Sequence, residues 1–266
     1  MPAINPPRLK IQVSELVQSA PEPEVFCDSF HGFLDIYADR THRPGMVGEP
    51  PPLLRGYQVP KPVMRAVDKE LGSWAGNNRD EALNLADALW REPFLEFRLT
   101  AASLLGQIEP QPVKPIVSRV ETWIQPNTEE RLVNALINKG LEGILSESLV
   151  LYLAQVDTWL RSRKLEPNRL GLKACIPLMR RKEFEDFPLL FNRVDRLMRS
   201  KNSPLRNDIL KVLEEMANQT PGETAFFLEN ALESAADNGQ IAWYVRKCLD
   251  HFPADNRAQL RRVLVA

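Results

Sequence analysis

One five-residue phrase returns three times in the middle of the chain and limits what it can become. The copies are Val120-Glu121-Thr122-Trp123-Ile124, Val156-Asp157-Thr158-Trp159-Leu160 and Val194-Asp195-Arg196-Leu197-Met198, spaced 36 (156 − 120) and 38 (194 − 156) residues apart. Each reads valine, acid, any residue, then two large residues. After each comes a break with a proline: Pro126-Asn127, Pro167-Asn168 and Ser203-Pro204. A second apolar-periodic run follows each break, at Leu132 to Ile137, Leu170 to Met179 and Ile209 to Met216. Pro, Asn and Ser end one helix and start the next, so the unit is helix, turn, helix. Its period falls in the HEAT range of about 40 residues. One such pair cannot bury its apolar stripe alone, so neighbours must stack. The expected fold class is all-α: a right-handed α-solenoid, or superhelix, of five to six HEAT-like helix pairs from about Pro62.

Taken in order, residues 1–60 are expected as an N-terminal arm, helix and Pro/Gly-rich loop, and 61–266 as the HEAT-like repeat domain. Residues 1–20 read as a loose arm with a short helix around Val13–Gln18. Glu22 to Tyr37 carries Val25, Phe26, Phe30, Phe33, Leu34 and Tyr37 at helical spacing. Arg40 to Pro62, with Pro44-Gly45 and Pro50-Pro51-Pro52, reads as a loop. Pro62 suits a helix first turn, and Asn77 or Asn78 caps the next helix. Pro93 ends a helix at Glu92, and Phe94, Phe97, Ala101, Leu104 and Leu105 continue in another. Thr220-Pro221-Gly222-Glu223 has the pattern of a capping box. A closing helix is expected near Ala258–Val265, and no strand is expected.

Chemistry-bearing motifs are few. The chain lacks G-x-x-x-x-G-K-[ST], G-x-G-x-x-G and H-E-x-x-H, so nucleotide-loop and zincin chemistries have no sequence support. Cys27, Cys175 and Cys248 are far apart and outside any C-x-x-C, as expected of buried, reduced thiols. His31, Asp35, Asp39 and His42 can share a helix face; either they form a solvated stripe or they ligate a metal. No apolar run approaches the roughly 20 residues of a membrane span, and no signal peptide is visible at the start. A cytoplasmic monomer without cofactor or metal is expected. Net charge is −1, but Arg161 to Lys211 holds 14 Lys/Arg and 6 Asp/Glu, a local excess of +8 (14 − 6). Such a stretch is either a phosphate-binding face or a set of solvated helix faces.

Several phrases resemble the DNA alkylation repair family, the HEAT-like glycosylases of the AlkD/AlkC type. Tyr57-x-Val59-Pro60-x-Pro62-x-x-Arg65 is similar to the family's lead into its first core helix. Leu89-Trp90-Arg91-Glu92-Pro93-Phe94-Leu95-Glu96-Phe97-Arg98-Leu99-x-Ala101-Ala102-x-Leu104-Leu105 looks like its best-known segment. The resemblance spans about residues 55–266. It implies a curved all-α body with a basic groove for duplex DNA, and metal-free excision of cationic alkylated purines by an Asp with flanking Trp residues and an Arg. A carboxylate stabilises the cationic sugar as the bond breaks, and aromatic faces attract a cationic base.

Residue by residue the match is partial. The catalytic Asp position matches Asn134, the first Trp matches Glu130, and the later Trp falls at Lys211 or nearby, while the Arg matches Arg169. Glu129 or Glu130 are the possible substitute carboxylates. The reading is a DNA-binding HEAT-like protein resembling a 3-methyladenine/7-methylguanine glycosylase but lacking the usual Asp and Trp, with Arg169, Lys173, Arg206 and Lys211 on DNA. The alternative is a non-enzymatic scaffold whose groove holds a protein partner. The two differ in where the basic residues of 161–211 point. Trp90, Trp123 and Trp159 read as core.

Overall fold

The computed structural model describes residues 4–39, 54–200, 204–234 and 239–264. The fold is all-α and built of HEAT-like helix pairs. Internal contacts divide the chain into two compact units, residues 1–147 and 148–266.

In the first unit, α1 (Pro6–Gln18), α3 (Lys61–Ala75), α5 (Leu95–Leu105) and α7 (Glu130–Ala135) pack in succession. A π-helical turn, Leu136–Gly140, prolongs α7, and α8 (Glu142–Glu147) follows. Against this row lie α2 (Pro23–Tyr37), α4 (Arg79–Arg91) and α6 (Lys114–Trp123). The sequence places a loose arm at 1–20, but α1 begins at Pro6. Leu9, Val13, Leu16 and Val17 recur every three or four residues and are buried, and α1 packs on α3. Asn5 caps α1 by accepting from Arg8 N at 3.2 Å. The aromatic stripe of α2 is core: Phe30 lies 4.8 Å from Phe97 of α5, centroid to centroid.

Residues 54–60 run extended along α5. Leu95 N donates to Arg55 O at 2.8 Å, beside the single β-bridge, Arg55 to Phe94, found among the described residues. Asn78 occupies the cap position of α4, but its amide donates backwards to Trp74 O at 2.7 Å instead of capping.

The second unit comprises α9 (Leu149–Arg161), α10 (Leu165–Met179), α11 (Phe187–Met198), α12 (Arg206–Gln219), α13 (Pro221–Glu233), α14 (Gly239–Cys248) and α15 (Ala254–Val263). Here α10, α12 and α14 pack in succession, and α9, α11 and α13 pair with them. The second break lies earlier than the sequence suggests. Helix α10 starts at Leu165, so Pro167 sits within its first turn, where the missing N–H is one the helix leaves unpaired anyway. Thr220 precedes α13 without forming the expected capping box: its hydroxyl faces Met216 O and the Thr224 hydroxyl.

The repeated phrase lies on α6, α9 and α11. Val120, Val156 and Val194 are all fully buried, and Trp123, Trp159 and Leu197 are buried beside them. The acid position ties repeats together. Asp157 binds Arg193 at 2.5 Å, and Arg193 directly precedes the next valine. In the first unit Asp87 of α4 binds Arg119 with both oxygens, at 3.0 and 2.7 Å, and Arg119 directly precedes Val120. Ala86-Asp87-Ala88-Leu89-Trp90 is therefore a fourth copy, with alanine in place of valine.

One ion pair makes the second unit sensitive to acid. Arg180 donates to both oxygens of the buried Glu215, at 3.0 and 2.7 Å. These bonds hold the Glu215 carboxyl below its ordinary 4.5, against the opposing effect of burial. A depressed carboxylate stabilises the fold above its unfolded pKa, and that stability is lost as pH falls through the folded value. Arg180→Ala is expected to cost about 1 kcal/mol at pH 7, because the arginine is 60% exposed and screened. The difference from wild type should shrink below pH 4.5 in thermal melts.

Candidate nucleic-acid interface

In the second unit, three of the four expected DNA-binding cations are placed by their helices near one carboxylate or one ring. Arg169 and Lys173 sit one turn apart on α10. Asp208, in the first turn of α12, takes Arg169 Nε at 3.4 Å and Lys173 Nζ at 3.5 Å. Arg169 also lies 3.5 Å from Glu166 on its own helix. Lys173 is buried. Asp208 thus neutralises part of the charge that the sequence assigns to a phosphate face, and sequence reading missed this because the pairing crosses 39 positions (208 − 169).

Arg206 is held differently. Its guanidinium carbon lies 3.4 Å from the centre of the Trp243 ring, on α14. A guanidinium stacked flat on an indole keeps its N–H donors in the ring-parallel plane, pointing outward and pre-oriented for a bidentate anion. The side chain is exposed. Trp243 escaped sequence reading because its only signal is spacing from another helix. Lys211, one turn beyond Asp208 on α12, is exposed.

Several cations of the basic stretch are paired within the unit. Arg193 and Arg196 on α11, and Arg199 at its C-cap, bind Asp157, Leu160 O and Asp195 respectively. Arg180 is taken by Glu215. Much of the local +8 therefore stitches helices together.

The first unit holds Asn134, Glu130 and Glu129, the residues that the sequence resemblance singles out. Asn134 is exposed on α7, where Asn138 Nδ2 donates to its carbonyl at 2.8 Å. Glu130 is exposed on the first turn of the same helix. Glu129 precedes that helix and accepts from Leu54 N at 3.0 Å. It lines a cleft of about 650 Å³ with Trp90, Arg98, Trp123 and Leu132. Trp90 and Trp123 stack on each other, with centroids 4.6 Å apart and planes at 5°. Arg98 lies over Trp90 at 5.3 Å, so the Trp90 faces are already occupied by protein. Burial holds the Arg98 guanidinium below its ordinary range, with Glu129 opposing.

The His31 stripe does not form a metal centre among the described residues; His42 lies outside them. His31 Nδ1 meets the Tyr57 hydroxyl at 2.7 Å and Nε2 meets Glu92 at 3.3 Å. Its ring packs 4.3 Å from Phe97. This histidine pins residues 54–60 to the core. All three cysteines are free and buried, their thiols pushed up to about 12 chiefly by burial. No helix among the described residues is long and apolar enough to cross a membrane.

The sequence model of the family described as DNA alkylation repair enzyme matches residues 54–250. The chain belongs to the DNA alkylation repair family. The matched range opens at Leu54, where the extended lead pairs with α5, and includes the Leu89–Leu105 segment. The crystal structure of AlkD2 from Streptococcus mutans is similar in fold, with a TM-score of 0.55 at 17% identity, covering 70% of this chain and 90% of that one. No curated protein matches the sequence.

Proposed function

We propose that this member of the DNA alkylation repair family binds duplex DNA through the second unit and does not excise bases. Arg206 supplies the leading phosphate contact, with Lys211 and Arg169 beside it and Lys173 beneath, holding Asp208. The observation carrying the reading is the Arg206–Trp243 stack: an exposed guanidinium held flat by an aromatic face, in a chain of the family. Non-specific contacts of this kind act on backbone charge and not on sequence.

Two substitutions should move affinity in opposite directions. Arg206→Ala is expected to weaken binding about equally for unrelated duplexes and to lower the salt slope by about 1. Asp208→Asn removes the acid that neutralises Arg169 and Lys173, so it should strengthen binding. Fluorescence anisotropy at low salt measures both. A wild type that binds no duplex hands the reading to the protein-scaffold alternative.

A further inference from the structure

A cavity of about 380 Å³ opens in the first unit between α3, α5 and α7. Val59, Met64, Leu95 and Leu99 give it aliphatic walls, and the exposed cations Lys61, Arg65 and Arg131 border it. At its base are two buried polar groups without a partner, Glu96 Oε2 and Thr100 Oγ1. Glu96 is 6% exposed and Thr100 1%. The other Glu96 oxygen accepts from Gln58 N at 2.8 Å. Asp68, also on the cavity, is engaged by Lys139 at 3.1 Å, so Glu96 is the carboxylate left with an open acceptor. A buried acceptor left unpaired is destabilising, the more so when it is charged, so the site suits a donor.

Gln58 stands at this carboxylate. Its φ of 57° is the one positive value among described non-glycine residues. Its Nε2 and Glu96 Oε2 each lie 3.5 Å from the point a Gly56 Cβ would occupy. Both unpaired oxygens are closed to solvent, so an incoming donor must displace a side chain at the cavity, and Gln58 is the candidate. That is feasible, because Gln58 is exposed and bonds Glu96 through its backbone.

We infer that this cavity binds a guanine nucleotide, with the base edge on Glu96 and the phosphate on Arg65 and Arg131. Guanine carries two adjacent N–H donors on one edge, one for the open Glu96 Oε2 and one for the second lone pair of Oε1, which Gln58 N–H already uses once; adenine carries an amine beside an acceptor. The aliphatic walls fit a flat ring, and the cations stand where a phosphate would emerge. A free nucleotide and one unstacked from a strand present the same chemistry. The site lies on helices of the first unit and does not depend on duplex binding by the second.

The test is calorimetric titration of the full chain with GMP, AMP and inorganic phosphate, plus anisotropy with a duplex bearing one bulged guanine against its fully paired counterpart. GMP should bind about 10–100-fold tighter than AMP, the discrimination typical of a bidentate base contact. Glu96→Gln keeps the acceptor for Gln58 N–H, puts a donor where one must be received, and should abolish that preference. Arg65→Ala and Arg131→Ala, both at exposed positions, should weaken GMP and AMP alike and keep the test decisive if Glu96→Gln fails to fold. Tighter binding of the bulged duplex, lost in Glu96→Gln, would identify the strand as the source; GMP binding alone would identify the free nucleotide. Absence of saturable GMP binding, or equal binding of GMP, AMP and phosphate, would overturn the inference.

Discussion

Wild-type protein is expected to release N3- and N7-methylpurines from methylated duplex DNA no faster than they leave spontaneously, and Asn134→Asp is expected to gain release. Breaking the glycosidic bond of a cationic purine leaves positive charge on the sugar. A fixed carboxylate stabilises that charge, and losing one preorganised group of this kind costs on the order of 3–4 kcal/mol, or 10²–10³ in rate. Asn134 supplies no charge. Glu129 has a carboxylate but spends one oxygen on Leu54 N–H, beside a Trp pair whose stacking faces are turned on each other. Glu129→Gln should therefore leave release unchanged, as should Glu130→Gln. The gain in Asn134→Asp should fall short of the full factor, because the resemblance sets Glu130, and not an aromatic face that would attract the cationic base, at the first Trp position. Quantifying released base by chromatography checks all four proteins. Robust wild-type release abolished by Glu129→Gln or Glu130→Gln would put the working carboxylate there and make the protein an active glycosylase.

Gly106→Ala is expected to cost about 3 kcal/mol or more and to unfold the first unit at temperatures the wild type survives. Gly106 ends α5 where the π-helical turn crosses it. An added Cβ would fall 1.7 Å from Lys139 O and 2.9 Å from Lys139 C. Those are backbone atoms within a hydrogen-bonded turn, so relief requires moving α5 away from the turn it packs against, at the upper end of overpacking costs. Gly72→Ala is the control. Its new Cβ would fall 1.6 Å from Gln107 Oε1, the end of a flexible side chain that can swing away, so its cost should be small. Urea denaturation followed by tryptophan fluorescence separates the two.

The helical class and the pairing were legible because Val120, Val156 and Val194 each demand burial at the same point of a repeat, and all three are fully buried. The fourth copy, at Ala86, was hidden by a smaller residue, although Asp87 and Arg119 repeat the acid–arginine tie of Asp157 and Arg193. The N-terminal helix was read short because Pro6 and Pro7 look like breakers, whereas at a helix start they cost no hydrogen bond. The site was less legible. Arg169 and Lys173 look free along the sequence, and only the packing of α10 on α12 brings Asp208 between them. The Trp243 ring under Arg206 lies 37 positions away (243 − 206), with no local signal. Likewise, Glu96 reads as an ordinary helix-start carboxylate until residues 54–60 fold over α5 and bury it.

The measurement that bears most directly on the central claim is the salt dependence of duplex binding by the wild type. Three phosphate contacts, from Arg206, Lys211 and Arg169, predict that log K falls against log salt with a slope of roughly −2.7, from about −0.9 per contact. The same slope should hold for duplexes of unrelated sequence. A flat salt response, or no binding at low salt, would contradict the account.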